Sequence, residues 1–310
     1  MKLILSLNER DGSRIISERL KKLRPNPKEE IATAGKIMDK IVKKLQAVRP
    51  FNLAEIRMVG SLRKNTMVSS RKELDVVVSL PANQITNYPP KEETRTKLKR
   101  QIARIFKVEE PDEYHQNVRI EESGWKLDIL PTFKISVENF IKKTKKEKGV
   151  YKPHMSLYHV KFIEKRGQKF QEFCRLAKYW TNGPEYKIEK QRYTSSFFIE
   201  LIAAAVFDDA NSKWNLVNLF EAFLIRVKNL KSKKRYIAFS DFYNKNEFKK
   251  NWVDKLSVID PADPDDNIAK KNPQNKKLNE LIKRSLDTLE LWKKGKFETV
   301  FQKYFSRQPK

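Results

Sequence analysis

The spacing of apolar positions divides the chain into two parts. In the first part, residues 55–59 and 74–80 are β-branched and apolar runs with the length of buried strands. Residues 28–46 repeat apolar side chains at helical spacing, which predicts an amphipathic helix packed on a sheet. Residues 92–107 predict a basic helix, and a polar strand near residues 118–121 can form a hairpin with the strand that follows. The first part is therefore expected to be a mixed sheet with flanking helices.

In the second part, apolar residues recur every three or four positions, which is the spacing of amphipathic helices. Five helices are expected there, at residues 162–180, 195–207, 216–227, 241–251 and 279–292. A solvated, lysine-rich stretch at residues 142–149 ends the first part. We therefore expect an α+β fold with a mixed α/β lobe over residues 1–152 and an all-helical lobe over residues 153–310. A ligand cleft is expected between the two lobes.

A sharp turn joins the first strand to a helix start at Gly60 and Ser61. Gly60 permits the turn, and the backbone N–H groups at the start of a helix carry partial positive charge. The Ser61 hydroxyl adds one more hydrogen-bond donor beside them. Such a turn is suited to hold a phosphate group.

Three carboxylates follow this turn on predicted strands. Glu73 and Asp75 are two residues apart, so both side chains leave the same face of the strand. Two adjacent carboxylates repel each other unless a cation lies between them, and Mg²⁺ prefers oxygen ligands of this kind. Asp128 lies in the middle of another short apolar strand, and it supplies a third ligand if the two strands are neighbours.

This combination of Gly-Ser, an acid-x-acid strand and a lone acid on a later strand resembles the nucleotidyltransferases of the DNA polymerase β superfamily. The resemblance implies that Glu73, Asp75 and Asp128 hold two Mg²⁺ ions, with Mn²⁺ as a possible substitute. It also implies that the triphosphate of ATP or another nucleoside triphosphate binds at Gly60 and Ser61.

Three stretches of the second part resemble oligoadenylate synthetases. Residues 175–180 resemble a helix of that family whose lysine, here Lys178, faces the triphosphate. Ser196 and Phe197 resemble a small polar residue and an aromatic residue that meet the donor nucleotide, although helix capping and core packing are equally open roles for them. Residues 258–264 resemble the family's Asp-Pro-Ala-Asp-Pro loop, which is expected to be structural because Asp before Pro favours a turn.

The net charge of +27 changes the expected set of partners. The excess lysine and arginine side chains repel one another unless polyanions neutralise them. Double-stranded RNA, DNA or tRNA is therefore an expected partner or activator. Solvated lysines on helix faces are the alternative explanation. The single cysteine, Cys174, excludes a disulfide framework and fits a cytoplasmic protein, and no segment predicts a signal peptide or membrane contact.

The function implied is transfer of a nucleotide, AMP from ATP, to a ribose hydroxyl. The group of oligoadenylate synthetases, cyclic GMP-AMP synthase and bacterial CD-NTases is the first resemblance, so a linear or cyclic oligonucleotide second messenger is expected. Residues 61–66 and 72–75 also resemble archaeal-type CCA-adding tRNA nucleotidyltransferases, the alternative reading. A catalytically silent nucleic-acid-binding relative is a third reading. The linkage, the bases and the oligomeric state are left open.

Overall fold

The computed structural model describes residues 7–23, 27–46, 52–68, 72–81, 92–109, 117–134, 155–181, 195–210, 213–232, 236–243, 256–271 and 275–305. The helices of this part of the chain are α1 (Leu7–Leu23), α2 (Pro27–Leu45), α3 (Gly60–Arg63), α4 (Glu92–Phe106), α5 (Ser156–Glu164), α6 (Gly167–Thr181), α7 (Ser196–Asp209), α8 (Leu216–Lys228), α9 (Ile268–Lys271), α10 (Asn275–Lys293) and α11 (Phe297–Tyr304). The strands are β1 (Glu55–Val59), β2 (Glu73–Leu80), β3 (Val118–Glu122), β4 (Trp125–Phe133), β5 (Tyr236–Ile237), β6 (Ser257–Asp260) and β7 (Asp263–Asn267). Within these ranges no helix combines the length and the apolar character needed to cross a membrane.

The chain forms two compact units, and it passes from one to the other after Pro25 and again after Lys165. One unit runs from Asn26 to Lys165, and the other joins Met1–Pro25 to Arg166–Lys310. These limits differ from the lobes expected at 1–152 and 153–310. The helix α1 joins the second unit because it packs against α6, α8 and α11, and α5 joins the first because it packs against β1 and α3. The assignment of a separate functional role to each lobe stays a prediction.

The first unit is built on a four-stranded mixed sheet in the order β1-β2-β4-β3. The central strands β2 and β4 are parallel, whereas β1 and β3 are antiparallel to their neighbours. One face of this sheet packs against α2 and α4 in a buried core that includes Val76, Val78, Leu127, Ile129 and Leu98. The sequence expectation of a mixed sheet with flanking helices is confirmed.

The opposite face of the sheet carries a smaller apolar cluster. Val59, Val77 and Val160 are buried there, with Leu130 and Leu157 packed against them. Because side chains alternate between faces along a strand, this is also the face to which Glu73, Asp75 and Asp128 belong.

The second unit is mainly helical and has an aromatic core. Trp180 of α6 makes edge contacts with Phe220 and Phe223 of α8, and its indole N–H donates to the Thr288 hydroxyl of α10 at 3.0 Å. The expected all-helical lobe is nevertheless wrong in one respect, because β5, β6 and β7 form a small second sheet.

Side-chain hydrogen bonds hold this small sheet together. The Asp260 carboxylate accepts from the backbone N–H of Ala262 at 2.8 Å, which closes the turn between β6 and β7. The Asn267 side-chain oxygen accepts from the backbone N–H of Val258 at 3.0 Å. The Tyr243 hydroxyl donates to the Asp260 carbonyl, and burial of that hydroxyl raises the pKa of Tyr243. The Asp-Pro-Ala-Asp-Pro segment therefore has the structural role expected of a turn.

Two further helix expectations are corrected. The single helix expected at residues 162–180 is interrupted into α5 and α6, with Gly167 at φ +78° at the start of α6. The expected helix at residues 241–251 lies largely outside the described residues, and residues 241–243 form a bend. The solvated stretch at 142–149 also lies outside the described residues.

Candidate active site

The turn at Gly60 lies directly against Asp75. Val59, the last residue of β1, pairs with Asp75 of β2, so the chain turns into α3 beside that carboxylate. Gly60 has φ +73°, and a methyl group on its Cα would stand 1.8 Å from Asp75 Oδ2. Glycine is thus required here both for the backbone conformation and for the close approach.

The strands β2 and β4 bring two of the three predicted carboxylates together. Their parallel register pairs Asp75 with Asp128, and Glu73 with Lys126. The neighbouring Leu74 is buried in the main core on the other face of the sheet. Asp75 is partly buried and Glu73 is exposed, so the site is open on the side of Glu73.

Negative charge accumulates at this position. Burial raises the pKa of Asp75 above its ordinary value, and the nearby charges of Asp128 and Glu73 raise it further. Lys64 and Arg119 lower the pKa of Asp75, with effects ranked below those of burial and Asp128. A cation bound among these carboxylates would therefore be favoured.

One guanidinium group already binds the third carboxylate. Arg119 of β3 pairs with Asp128 across the hairpin. Its Nε donates to Asp128 Oδ1 at 2.8 Å, and its Nη2 donates to Asp128 Oδ2 at 2.9 Å. No sequence motif points to Arg119. The two-residue turn at Ser123 and Gly124 was the signal that could have found it, because it fixes the register of the hairpin.

Comparison with known proteins decides the family. Residues 132–303, more than half of the chain, match the family model described as 2'-5'-oligoadenylate synthetase 1, domain 2, C-terminus. The chain belongs to the 2'-5'-oligoadenylate synthetase family. It is a nucleotidyltransferase of the group that contains oligoadenylate synthetases, cyclic GMP-AMP synthase and CD-NTases, as the sequence analysis expected.

Individual relatives agree with this assignment. The cyclic AMP-AMP-AMP synthase of Escherichia coli (strain MS 115-1) is 25% identical over 250 residues, covering 76% of this chain and 75% of the relative. The 2'-5'-oligoadenylate synthase 1A of Mus musculus is 20% identical over 270 residues, covering 74% of this chain and 73% of the relative. The solved structure of E. coli MS115-1 CdnC with ATP superposes with a TM-score of 0.71 at 22% identity, covering 96% of this chain and 99% of that one.

The carboxylates at the paired positions of β2 and β4 in this protein have the chemistry of ligands for a divalent cation. The described residues contain no group of three or more His, Cys, Asp or Glu side chains arranged to hold a metal ion. Asp75 and Asp128 nevertheless offer carboxylate oxygens from paired positions, which are ligands that Mg²⁺ prefers. The Arg119 guanidinium forms an ion pair with Asp128 at 2.8 Å, so this carboxylate already binds a positively charged group. Glu73 is the third predicted ligand.

The predicted nucleotide contacts of the second part lie on α6 and α7. The Lys178 ammonium donates to Glu200 at 2.9 Å, and both side chains are buried at 2% and 1% exposure. Ser196 and Phe197 are partly exposed at the start of α7. The helix is capped by Ser195, whose hydroxyl accepts from the Phe198 N–H, so Ser196 is not the capping residue.

Gly60→Ala is expected to disturb the turn beside Asp75. The added methyl group must push Asp75 away by more than 1 Å, and a displacement of about 1 Å can cost about a hundredfold in rate. We therefore expect nucleotidyl transfer to fall by about two orders of magnitude, measured as pyrophosphate release. Gly124→Ala is the matched control, because Gly124 also has positive φ (+74°) but no heavy atom lies within 4 Å of its added methyl group. Equal loss of transfer in both variants would show that backbone strain alone is responsible.

Proposed function

We propose that this protein is a Mg²⁺-dependent nucleotidyltransferase that transfers AMP from ATP to a ribose hydroxyl and so makes a short linear or cyclic oligonucleotide second messenger. The pairing of Asp75 with Asp128 beside the Gly60 turn carries the proposal. The choice of ATP is supported by the names of two relatives, cyclic AMP-AMP-AMP synthase and 2'-5'-oligoadenylate synthase, whose products contain AMP units.

In this reaction the acceptor ribose oxygen attacks the α-phosphorus of ATP. The bond from that phosphorus to the bridging oxygen breaks, and pyrophosphate leaves. Asp75, Asp128 and Glu73 would hold Mg²⁺, which neutralises the phosphates and lowers the pKa of the attacking hydroxyl when it is bound. Gly60 lets the backbone turn close to Asp75. In the proposed complex, the backbone N–H groups at the start of α3 and the Ser61 hydroxyl would donate to the triphosphate.

The role of Lys178 as a triphosphate contact remains part of this proposal. Its ammonium is buried in the ion pair with Glu200, so a phosphate must share or replace that partner. Ser196 and Phe197 lie near the start of the same helix as Glu200, and their partial exposure is compatible with contact to a base or ribose.

Product analysis with labelled ATP tests the proposed function. Purified protein is incubated with Mg²⁺ and α-labelled ATP, alone or with all four nucleotides, and with no polymer, duplex RNA, duplex DNA or tRNA lacking its 3' end. Short oligonucleotides or phosphatase-resistant cyclic products, absent with the Asp75→Asn variant, are the expected result. Label on tRNA alone would replace the proposal with a CCA-adding activity, and no product under any condition would refute transfer altogether.

Nucleic-acid binding is the second part of the proposal, and it is supported by the net charge of +27. Each phosphate contact releases counterions, so binding of a labelled duplex is expected to weaken by about a hundredfold or more between about 50 and 200 mM salt. Fluorescence anisotropy titrations at the two salt concentrations measure this. An affinity that does not change with salt would indicate that the lysines only solvate the surface.

A further inference from the structure

Arg119 is placed to compete with a metal ion for Asp128. Its two donor nitrogens engage both oxygens of the carboxylate at 2.8 and 2.9 Å. A bidentate pair of this kind is among the stronger ionic hydrogen-bond arrangements, because the planar fork of arginine matches the carboxylate. Both oxygens of Asp128 are thus held by the Arg119 guanidinium.

The charge of Arg119 interacts with all three carboxylates, Asp128, Glu73 and Asp75. The hydrogen bond and charge of Asp128 raise the pKa of Arg119, and the charges of Glu73 and Asp75 add to that effect. Arg119 also lowers the pKa of Asp75, as does Lys64. A divalent ion held by Asp128 would be repelled by the like charge of the guanidinium, which contacts both oxygens of that carboxylate at 2.8 and 2.9 Å.

Arg119 is held by Asp128 from a position that is open to solvent. Its side chain is 68% exposed, and β3 is an edge strand of the sheet. Asp128 is 28% exposed, so solvent and ions reach it. Arg119 is able to leave Asp128 for water at little desolvation cost, because its charge is already largely hydrated.

We propose that Arg119 is a positioning residue that holds Asp128 before a divalent ion binds and withdraws from it when the ion binds, thereby lowering the affinity of the site for the ion. This inference rests on the proposed metal role of Asp75 and Asp128. The ion binds to the arrangement in which Asp128 is released from Arg119. Part of the binding free energy is therefore used to break the Arg119–Asp128 pair, which reduces the measured affinity.

Mn²⁺ binding without nucleotide tests this role directly. Free Mn²⁺ is followed by electron paramagnetic resonance, or its binding by calorimetry, in the wild-type protein and in Arg119→Ala. The variant is expected to bind Mn²⁺ about three- to tenfold more tightly, in line with the loss of one ion-paired cation. Arg119→Lys, which keeps the charge but loses the fork, is expected to fall between the two. Unchanged or weaker binding in Arg119→Ala overturns the inference.

Arg57→Ala is the matched control. Arg57 lies on β1 on the same face of the sheet, is also exposed, and pairs with Glu55 rather than with a predicted ligand. It is expected to leave Mn²⁺ affinity unchanged. An equal gain in this variant would mean that only net charge matters, which also overturns the inference.

Two further variants separate this inference from the proposed function. In an Asp128→Asn background, Arg119→Ala is expected to lose most of its effect, because the two residues act through one contact. Asp75→Asn is expected to weaken Mn²⁺ binding. If Asp75→Asn weakens binding but Arg119→Ala does not strengthen it, only the role of Arg119 fails. If wild type and Asp75→Asn bind Mn²⁺ equally or not at all, the proposed metal site fails, and the role of Arg119 fails with it.

Discussion

Asp75→Asn is expected to abolish nucleotidyl transfer and to leave the protein at least as stable as the wild type. Asp75 is central to the site, between the Gly60 turn and the paired Asp128. In the proposed mechanism Asp75 holds Mg²⁺, and loss of such a ligand removes several kcal/mol of transition-state stabilisation, so turnover should fall by at least about a thousandfold. Product formation from labelled ATP at saturating Mg²⁺ measures this change.

The stability expectation follows from the direction of the pKa shift. Burial and the charges of Asp128 and Glu73 raise the pKa of Asp75, so the folded state disfavours its ionised form. A carboxyl group of this kind lowers stability as the pH rises above its unfolded pKa. The neutral amide removes that penalty, so Asp75→Asn should melt at the same or a higher temperature at pH 7 in the presence of a chelator.

Acid pH and Asp128→Asn provide the controls for this result. The difference in melting temperature between Asp75→Asn and the wild type should shrink towards pH 4, where the carboxyl of the wild type becomes protonated. Asp128→Asn should gain less stability than Asp75→Asn, because it also loses the bidentate pair with Arg119. A clearly lower melting temperature for Asp75→Asn at pH 7, or retained turnover, would contradict the assignment of Asp75.

Glu200→Leu is expected to destabilise the second unit strongly. Glu200 and Lys178 form an ion pair at 2.9 Å with both side chains almost fully buried. Removing one partner leaves a charge in a poorly solvated environment without its counter-ion, which typically costs about 3–5 kcal/mol. Chemical denaturation followed by tryptophan fluorescence should report this loss, because Trp180 lies on the same helix as Lys178.

Two variants calibrate this effect. Asp209→Ala removes a partner of Arg226 in the same unit, and because Asp209 is 68% exposed the expected cost is only about 0–1 kcal/mol. The double variant Lys178→Met/Glu200→Leu should recover most of the stability lost in Glu200→Leu, since apolar side chains can replace a buried ion pair. If Glu200→Leu costs no more than Asp209→Ala, the buried pair is not a major contributor. If the double variant folds but no longer binds an ATP analogue, the pair of Lys178 and Glu200 contributes to nucleotide binding, as the family resemblance implies for Lys178.

The four-stranded sheet of the first unit could be predicted because its signals are local. The β-branched runs, the glycine at the turn and the alternation around Glu73 and Asp75 each specify one element, and the structure forms β1, α3 and β2 at those positions. The neighbouring position of the Asp128 strand was a conditional expectation, and the parallel register of β2 and β4 confirms it. The contact of Arg119 with Asp128 was missed because an arginine on a polar strand is unremarkable until the hairpin register is applied.

Elements that depend on tertiary contacts could not be predicted in the same way. The helix α1 contains Gly12 and Ser13, which are weak helix formers, and it was not expected. Ile16 is fully buried, and a methyl group added at Gly12 would stand 3.1 Å from both Phe297 and Val217, so packing stabilises this helix. The small sheet was missed because β7 is rich in Asp and Asn and is held by side-chain hydrogen bonds rather than by strand propensity.

The placement of α1 determines the order in which the two units can be completed during synthesis. The unit that contains the carboxylates is continuous from Asn26 to Lys165, so it is synthesised as one uninterrupted stretch of the chain. The second unit needs α1 from the beginning of the chain and α11 from residues 297–304, and contact between them closes a loop of most of the chain length. The carboxylate sheet is therefore complete while α1 still has no partner helix, and closure of the second unit is the late step of biosynthesis.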